Sequence, residues 1–392
     1  MKKAGFVVLM LAFTLIPAMA QDALTLTPIG RYETGIVDGA ASEISAYHAP
    51  SQTVFVTNGA DATLDLLDIS DPTNPTLKLE VDLDALGGTA NSVAINGDLV
   101  AVSIDGEEST DPGTVIFFNP EGDVLATVPV GPVPDMVTFT SDGSKLLVAN
   151  EGEPSSDYTI DPEGSVSIID LSAGVDALSE DSVTTVSFAA FNDAELDESV
   201  RVFGPGATPA MDFEPEYIAI SADDSTAYVT LQENNAVAVI DINAAEAVAV
   251  VGLGFKDHSL EGNGMDASNE DGAINISTWP TLGMYMPDAI VAAEINGETY
   301  LFTANEGDAR EYDAYEEEAR VADLVLDEEA FPNAAELQAE DQLGRLKTTT
   351  ANGDTDGDGD FDVIYSFGAR SFTIWNAEGS LVWDSGDQIE QI

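Results

Sequence analysis

Residues 213–242 read FEPEYIAISADDSTAYVTLQENNAVAVIDI and set the pattern for the rest of the chain. An acidic residue on each side of Pro215 leads into an alternating run at 217–220, an Asp-rich turn follows, and two more alternating runs end at Asp241. Alternation of apolar and polar side chains over about four to eight residues is typical of a half-buried strand. The stretch therefore predicts an antiparallel meander.

The same order of signals recurs on both sides of this stretch. Pro134-Asp135 leads into MVTFT and LLVAN, and Pro287-Asp288 leads into AIVAAEI and YLFTAN. Residues 42–83 and 91–130 each contain four further short strands by the same criterion. Units of roughly 40 to 45 residues with four short strands are typical of a β-propeller, because each unit buries its face only by stacking on the next. We count five units, the fifth interrupted, and predict an all-β propeller of four-stranded blades.

Some segments depart from the repeat. Residues 24–32 have the pattern of an isolated strand, which is expected to close the ring beside the last blade. Residues 252–286 and 308–343 are too long to be mere connectors. The second of them is predicted to contain a helix at 333–342, and a capping-box pattern beginning at Asn192 predicts another short helix.

Residues 1–20 have the features of a secretory signal peptide, namely two lysines, an apolar run and the small-residue ending AMA. We therefore predict that residues 21–392 form one exported domain, located extracellularly, at the cell surface or in the periplasm. The remaining sequence has no apolar run of the length that a membrane-spanning helix needs.

The chain is very acidic, with 72 Asp and Glu residues, 12 Lys and Arg residues and a formal net charge of -60. Such a charge argues strongly against nucleic acid or an anionic membrane as a partner. The chain contains no cysteine, so disulfides cannot stabilise it and bound cations are an expected substitute. Adaptation to a saline environment accounts for the surface acid equally well.

The sharpest local motif is an Asp-rich loop, DTDGDGDFD, at residues 354–362. Carboxylates at alternate positions with glycine at the sixth place match the first half of a calcium loop. The twelfth position is Tyr365, so the loop is not a complete EF-hand. A solvated Asp-Gly turn is the alternative to a Ca²⁺ site. The predicted metal ligands are Asp354, Asp356, Asp358, Asp360 and Asp362.

A second set of candidates consists of polar residues at equivalent places in the repeated units. Equivalent loops of a propeller gather on one face, so these side chains are expected to surround a shared site near the axis. Turn caps that bond backbone amides are the alternative explanation. The ligand-binding candidates are Asp135, Glu151, Glu214, Glu216, Glu233, Asn234, Asp288, Glu306, Asp308 and Arg310.

Basic residues are scarce and concentrate in the last third of the chain. The planar guanidinium of Arg310 suits a carboxylate or a phosphate equally. His258 is the histidine closest to these charges in the sequence. Arg310 and His258 are therefore the candidate catalytic residues, with a structural ion pair and a structural histidine as the alternatives. The basic residues concerned are Lys256, Arg310, Arg320, Arg345, Lys347 and Arg370.

Several long motifs are similar to those of the choice-of-anchor I family: GFKDHSLEGNGMDASNEDG at 254–272, TANEGDAREYD at 303–313, LGRL at 343–346 and FGARSFTIWNAEG at 367–379. The resemblance implies an exported protein with a YVTN/WD40-like propeller, related to mesenchyme-specific cell-surface glycoproteins. Some members carry alkaline-phosphatase labels. Members usually continue past SGD at 385–387 with more propeller sequence and a surface anchor, so the resemblance implies that C-terminal blades and an anchor are missing here.

Two functional hypotheses follow. The first is a non-enzymatic, calcium-binding surface or adhesion module whose partner is a surface protein, a glycan or a small anionic ligand. The second is a metal-dependent phosphoesterase, in which carboxylates hold metal ions that activate water and an arginine holds the phosphate. The second hypothesis requires several of the candidate acids, Arg310 and His258 to converge on one face. Because no GxSxG, HExxH or phosphate-loop motif is present, the first is favoured.

Overall fold

The alternating runs fold into five four-stranded antiparallel sheets in the computed structural model, which describes residues 25–392. These sheets confirm the predicted all-β, blade-based propeller. The predicted signal peptide, residues 1–20, lies outside the described residues.

The first two blades are each built from four consecutive strands. Blade 1 contains β1 (Ser45–His48), β2 (Thr53–Asn58), β3 (Thr63–Asp68) and β4 (Thr76–Asp82). Blade 2 contains β5 (Ala90–Asn96), β6 (Leu99–Ile104), β7 (Pro112–Phe118) and β8 (Val124–Pro132). Each strand pairs with the next one in the chain, so every blade is a meander with its first strand at one edge.

Blades 3 and 4 have the same connectivity. Blade 3 contains β9 (Pro134–Phe139), β10 (Lys145–Asn150), β11 (Ser165–Asp170) and β12 (Val183–Ser187). Blade 4, which corresponds to the stretch quoted first, contains β13 (Pro215–Ile220), β14 (Thr226–Leu231), β15 (Ala236–Asp241) and β16 (Glu246–Gly252).

Blade 5 is interrupted, as predicted, and a first insertion precedes it. That insertion contains β17 (Phe255–Asp257), β18 (Met265–Asp266), β19 (Ile276–Ser277) and β20 (Leu282–Met284). Blade 5 begins with β21 (Ile290–Ile295) and β22 (Glu298–Asn305). The second insertion follows with β23 (Glu311–Tyr312), β24 (Tyr315–Glu316), β25 (Glu318–Arg320), β26 (Lys347–Thr349) and β27 (Tyr365–Ser366). Blade 5 is completed by β28 (Ser371–Asn376) and β29 (Leu381–Asp384).

The two insertions fold together rather than forming separate loops. Strands from both make one five-stranded sheet in the order β17-β20-β27-β26-β25, with β20 and β27 parallel. Their apolar side chains form a separate core that includes Trp279, Val321, Phe331, Leu343 and Ile364. We call this unit the insertion subdomain.

The first strands of successive blades lie side by side in the order β1, β5, β9, β13 and β21. A hydrophobic core fills the space between each two neighbouring blades along this series. Each core contains residues of both blades, for example Leu66 and Val102, Phe117 and Val148, Val166 and Val229, and Tyr228 and Trp375. Blades therefore stack face to face, because each sheet can bury its apolar face only against the next one.

Three sequence predictions are wrong in detail. Residues 25–32, the described part of the expected closing strand, form no strand, and Arg31 and Tyr32 instead line a cavity of about 410 Å³ with Val56 of blade 1. The helix expected at 333–342 is one turn, α2 (Ala334–Leu337), because the chain leaves the helix at Gln338, whose side chain donates to two backbone carbonyls.

The helix expected after Asn192 is also absent from the described residues, since residues 192–201 form turns. The Asn192 side chain accepts a hydrogen bond from Ala210 N at 2.9 Å instead of capping its own segment. Ala210 lies in the one-turn helix α1 (Pro209–Asp212). The remaining helical segments are single 3₁₀ turns at Asp84–Leu86, Val175–Ala177, Glu180–Ser182, Ala189–Phe191 and Val321–Asp323. Within residues 25–392, no helix is long and apolar enough to cross a membrane.

Candidate functional site

The first strands of all five blades surround one acidic cavity, which we call the axial cavity. Its volume is about 440 Å³, and its lining includes one residue at or beside the first strand of each blade. Those residues are Ile44, Ser92, Asp135, Tyr217 and Asp288. Three further acidic side chains, Glu43, Asp105 and Glu151, also face the cavity. Blade stacking thus brings together acids that lie far apart in the sequence.

Burial among like charges makes these acids hold protons more tightly than usual. Burial, with the carboxylates of Asp288 and Asp105 adding to it, raises the pKa of Asp135 to about 7. Burial and the neighbouring Asp135 likewise raise the pKa of Glu151 well above its ordinary value. A buried carboxylate beside another carboxylate is costly unless one of the two is protonated. The cavity therefore carries carboxylic acids as well as carboxylates near neutral pH.

Two pairs of candidate acids meet side chain to side chain. Glu216 and Glu233 are both buried and interact through their carboxyl groups, and burial raises the pKa of Glu233 to about 7. Asp288 and the exposed Glu306 form the second pair, and burial together with Glu306 raises the pKa of Asp288 to about 6. Asp288 and Glu233 therefore keep their protons to higher pH than an isolated carboxyl group does.

Arg310 is buried beside the acids of the fourth blade. Its Nη1 lies 2.6 Å from Asp212 Oδ1, and its Nη2 lies 3.1 Å from Glu214 Oε1. Nε also donates to Glu214, and Nη2 donates to the carbonyl of Asp212. The guanidinium stacks on Phe203 with its central carbon 4.6 Å from the ring centroid. Arg310 is thus an internal ion-pair partner, which matches the structural alternative expected from the sequence.

Arg201 also lies over the Phe203 ring, with its central guanidinium carbon 4.1 Å from the ring centroid. It was not among the candidates identified from the sequence. It forms a buried salt bridge with Glu317 and donates to the carbonyl of Glu233 at 2.8 Å. Glu317 is 116 residues away in the sequence, so no local pattern could have paired the two. Asn234, a ligand-binding candidate, donates to the carbonyls of Arg201 and Asp212.

His258 belongs to a different set of contacts. It is 1% exposed, its Nδ1 lies 2.7 Å from the carbonyl oxygen of Asn263, and burial lowers its pKa. The charged side chains that act on it are Lys256, Arg370 and Glu390, whereas those that act on Arg310 are Glu214, Asp212 and Glu233. Of the residues required to converge for catalysis, Glu233 and Asp308 lie close enough to interact, and Arg310 interacts with Glu233. None of these three residues is among the groups that shift the pKa of His258.

The Asp-rich loop lies between β26 and β27 in the insertion subdomain. Carboxylate oxygens of Asp354, Asp356 and Asp362 lie within 4.8 Å of one another. A second group of oxygens with the same spacing comes from Asp327, Asp360 and Asp362. Asp358, a predicted ligand, belongs to neither group, and Asp327 was not predicted because it lies outside the motif.

Backbone contacts explain the shape of the loop and the presence of Asp327. Gly357 N and Gly359 N donate to the two oxygens of Asp354 at 2.7 and 3.0 Å, with φ values of 80° and 101° that favour glycine. Phe361 N donates to Val325 O, and Asp327 N donates to Phe361 O, which places Asp327 beside the loop. Partial desolvation and the neighbouring Asp358 and Asp327 raise the pKa of Asp360 to about 6.

Comparisons with known proteins give one family match. The family model for the choice-of-anchor I domain matches residues 43–392. No curated protein matches the chain.

Among solved structures, a hydrazine synthase from Kuenenia stuttgartiensis is 14% identical, with 67% of this chain and 80% of that chain covered and a TM-score of 0.34. A protein from Lactobacillus plantarum is 13% identical, with 84% and 73% covered and a TM-score of 0.43. A functionally unknown protein from Desulfotomaculum acetoxidans is 10% identical, with 88% and 85% covered and a TM-score of 0.40. Likenesses this distant say nothing about what this chain binds.

Proposed function

This chain belongs to the choice-of-anchor I family, and from that premise we propose that it is an exported, surface-associated binding module stabilised by calcium. The family description indicates a surface or exported protein. The observation that carries the proposal is the grouping of Asp354, Asp356 and Asp362 beside Asp327 and Asp360.

The grouping fits the coordination that calcium prefers. Ca²⁺ takes 6 to 8 oxygen ligands and accepts flexible geometry, and loops in extracellular modules bind it at about 0.1 to 1 mM. Asp362 belongs to both groups of oxygens, so a cation at either group lies next to it. Asp362 also accepts hydrogen bonds from Thr355 N at 2.8 Å and from Thr355 Oγ1 at 2.6 Å, which hold its carboxylate in place. A cation would relieve the repulsion among these carboxylates.

Calorimetric titration of calcium into chelator-treated protein tests the proposal. The variants are Asp362→Asn, which alters both groups, and Asp358→Asn, a matched control that removes one loop charge and belongs to neither group. We expect the parent and Asp358→Asn to bind calcium with similar affinity and Asp362→Asn to bind about tenfold or more weakly, since a charged ligand is lost. Equal binding by both variants, or none by the parent, would refute the calcium site.

The axial cavity is where we propose that the partner binds. It combines carboxylates and carboxylic acids with the ring of Tyr217, and such groups accept and donate hydrogen bonds at close range. A hydroxyl-rich ligand such as a glycan, or a cationic group of a surface protein, is suited to it. Binding of a glycan panel by the parent and by Glu151→Ala, which removes the carboxyl group in either protonation state, tests this part, and binding unaffected by the variant would place the partner elsewhere.

The alternative, a metal-dependent phosphoesterase, is less well supported. Arg310 already donates to Asp212 and Glu214, so its guanidinium is committed before any phosphate arrives. His258 contacts a separate set of residues. A phosphatase assay with and without calcium decides between the hypotheses. Calcium-dependent turnover that is lost in Glu306→Gln would favour the enzyme.

A further inference from the structure

Two arginines differ from the other four arginines of this acidic chain. Within residues 25–392, Arg31, Arg201, Arg310 and Arg370 each form a salt bridge, whereas Arg320 and Arg345 form none. With 72 acidic residues in the chain, an arginine without a carboxylate partner is unexpected.

Neutral oxygen atoms orient both groups. Arg320 Nη1 donates to the carbonyl of Arg345, and Arg345 Nε donates to Asn269 Oδ1 at 3.1 Å. A guanidinium has five N–H donors, so each arginine retains donors that no described side chain or backbone atom accepts. Both side chains are half-buried, which limits how far solvent can satisfy those donors.

The arginines face a cleft of about 830 Å³ at the edge of the insertion subdomain. Four basic side chains line it, Arg320, Arg345, Lys347 and Arg370, against three acidic ones, Asp266, Glu306 and Glu390. The cleft is therefore lined by more positive than negative groups in a protein whose net charge is -60. Clefts of this size commonly hold small organic ligands.

Sheet pairing adds to the positive charge on one side of the cleft. Arg320 in β25 and Lys347 in β26 are direct partners in the antiparallel register. Like charges directly opposite each other destabilise a pair of strands. The salt bridge between Lys347 and Glu318 compensates only in part, because the Lys347 side chain is 51% exposed and exposed ion pairs contribute little. An anion bound in the cleft by the side chains of Arg320, Lys347 and Arg345 would relieve this repulsion.

We propose that the cleft binds a small organic oxyanion, that is, a ligand with a phosphate, sulfate or carboxylate group. Arg320 and Arg345 present planar forks that match such groups, and Lys347 adds a point charge. The exposed apolar side chains of Ile274 and Ile389 line the same cleft and can contact the body of the ligand. The inference does not depend on the calcium loop or on the axial cavity, because no residue that forms either site lines the cleft. Glu306 lines the cleft and is the partner of Asp288, which lines the axial cavity.

Titration calorimetry with four probes tests the inference: inorganic phosphate, inorganic sulfate, glucuronate and neutral glucose. We expect at least one of the three anions to bind and glucose not to bind. Binding should weaken as sodium chloride is raised, because exposed charges are screened. The anion that binds identifies the oxyanion class. Binding of no anion, or of glucose alone, would overturn the inference.

Two double variants have matched charge. Arg320→Gln with Arg345→Gln removes the unpaired guanidinium groups, and Lys78→Gln with Lys145→Gln removes two positive charges elsewhere that also form no salt bridge. We expect affinity to fall by about tenfold or more in the first and to change little in the second. Arg345→Lys keeps the charge but not the fork, so it should also weaken binding and is usable even if the double variant fails to fold. Equal affinity in the parent, the arginine double variant and Arg345→Lys would refute the site.

Discussion

The guanidinium of Arg310 donates to the carboxylate of Asp212 with Nη1 2.6 Å from Oδ1, although 98 positions separate the two residues in the chain. Both side chains are buried, with exposed fractions of 3% and 0%. The contact ties the second insertion to the one-turn helix that precedes blade 4. It therefore couples the second insertion to the segment that leads into blade 4.

Replacing Arg310 by methionine should destabilise the protein strongly. The substitution keeps much of the side-chain volume but leaves Asp212 and Glu214 buried without their cation, and breaking such a buried pair costs about 3 to 5 kcal/mol. The free energy of unfolding in urea measures the effect. Arg31→Met is the control, since the Arg31–Glu33 pair is exposed and should contribute less than about 1 kcal/mol. Similar losses in the two variants would contradict this account of Arg310.

Stability should fall as pH rises from about 4 to about 7 in the presence of chelator. The pKa values of Asp135 and Glu233 are raised to about 7 by burial, and that of Asp288 is raised to about 6. A carboxyl group whose folded pKa is raised stabilises the fold below its unfolded pKa near 4, and this stabilisation is lost as pH rises through the folded value. Chemical denaturation across this range should show the decline.

Glu233→Gln isolates one of these groups. Glutamine mimics the protonated acid, so the variant should match the parent near pH 4 and exceed its free energy of unfolding by about 1 to 3 kcal/mol near pH 8. Asp68→Asn is the control, because the hydrogen bond from Ser70 N lowers the pKa of Asp68. Asp68→Asn should show the opposite sign: it should lower the free energy of unfolding near pH 8, and the difference from the parent should disappear as pH falls below about 4. A pH profile unchanged by Glu233→Gln would show that Glu233 is not the responsible group.

Calcium should raise the melting temperature through Asp327, a residue outside the Asp-rich motif. Binding to the folded state alone adds about 2.7 kcal/mol at a hundredfold excess over Kd. Melting curves in chelator and in excess calcium should show a smaller increase for Asp327→Asn than for the parent, because the variant removes a carboxylate from one of the two groups. The exposed Asp323 is nearby in sequence and belongs to neither group, so Asp323→Asn should respond as the parent does. If calcium raises the melting temperatures of all three proteins equally, Asp327 does not contribute a calcium ligand.

Trp375 should be the main anchor of blade 5. Its side chain is 2% exposed, its ring lies edge-on to Tyr285 at 5.0 Å, and its Nε1 donates to Thr303 Oγ1 at 2.9 Å. Trp375→Ala should cost about 3 to 5 kcal/mol, because it leaves a cavity between blades 4 and 5. Trp383, 39% exposed on the outer strand β29, provides the matched control, and Trp383→Ala should cost much less. Thermal unfolding compares the two, and a smaller loss at Trp375 than at Trp383 would contradict the assignment.

The sequence alone was sufficient for the blades. The run predicted at 217–220 lies within Pro215–Ile220, and the next strand, Thr226–Leu231, follows the predicted Asp-rich turn. This succeeds because the alternation and the turn residues of a meander are local signals, and each strand pairs with its neighbour in the chain. The gathering of Asp135, Glu151 and Asp288 in one cavity also followed from the repeat, since equivalent positions of stacked blades face the same axis.

Only the tertiary structure decided the partners of residues outside the repeat. The alternation at residues 24–32 predicted a strand, yet residues 25–32 form no strand in any sheet. Alternation determines which side chains share one face of a strand, but it does not determine which other strand pairs with it. The strands of the insertion subdomain are two or three residues long, which is too short to show a periodic pattern in the sequence. β20 and β27 pair although β21 and β22 of blade 5 lie between them in the chain, so no local signal indicates that pairing. Asp327 beside the Asp-rich loop, Arg201 against Glu317, and Arg320 opposite Lys347 all depend on that packing, because the side chains of distant segments meet only once the apolar core of the insertions has formed.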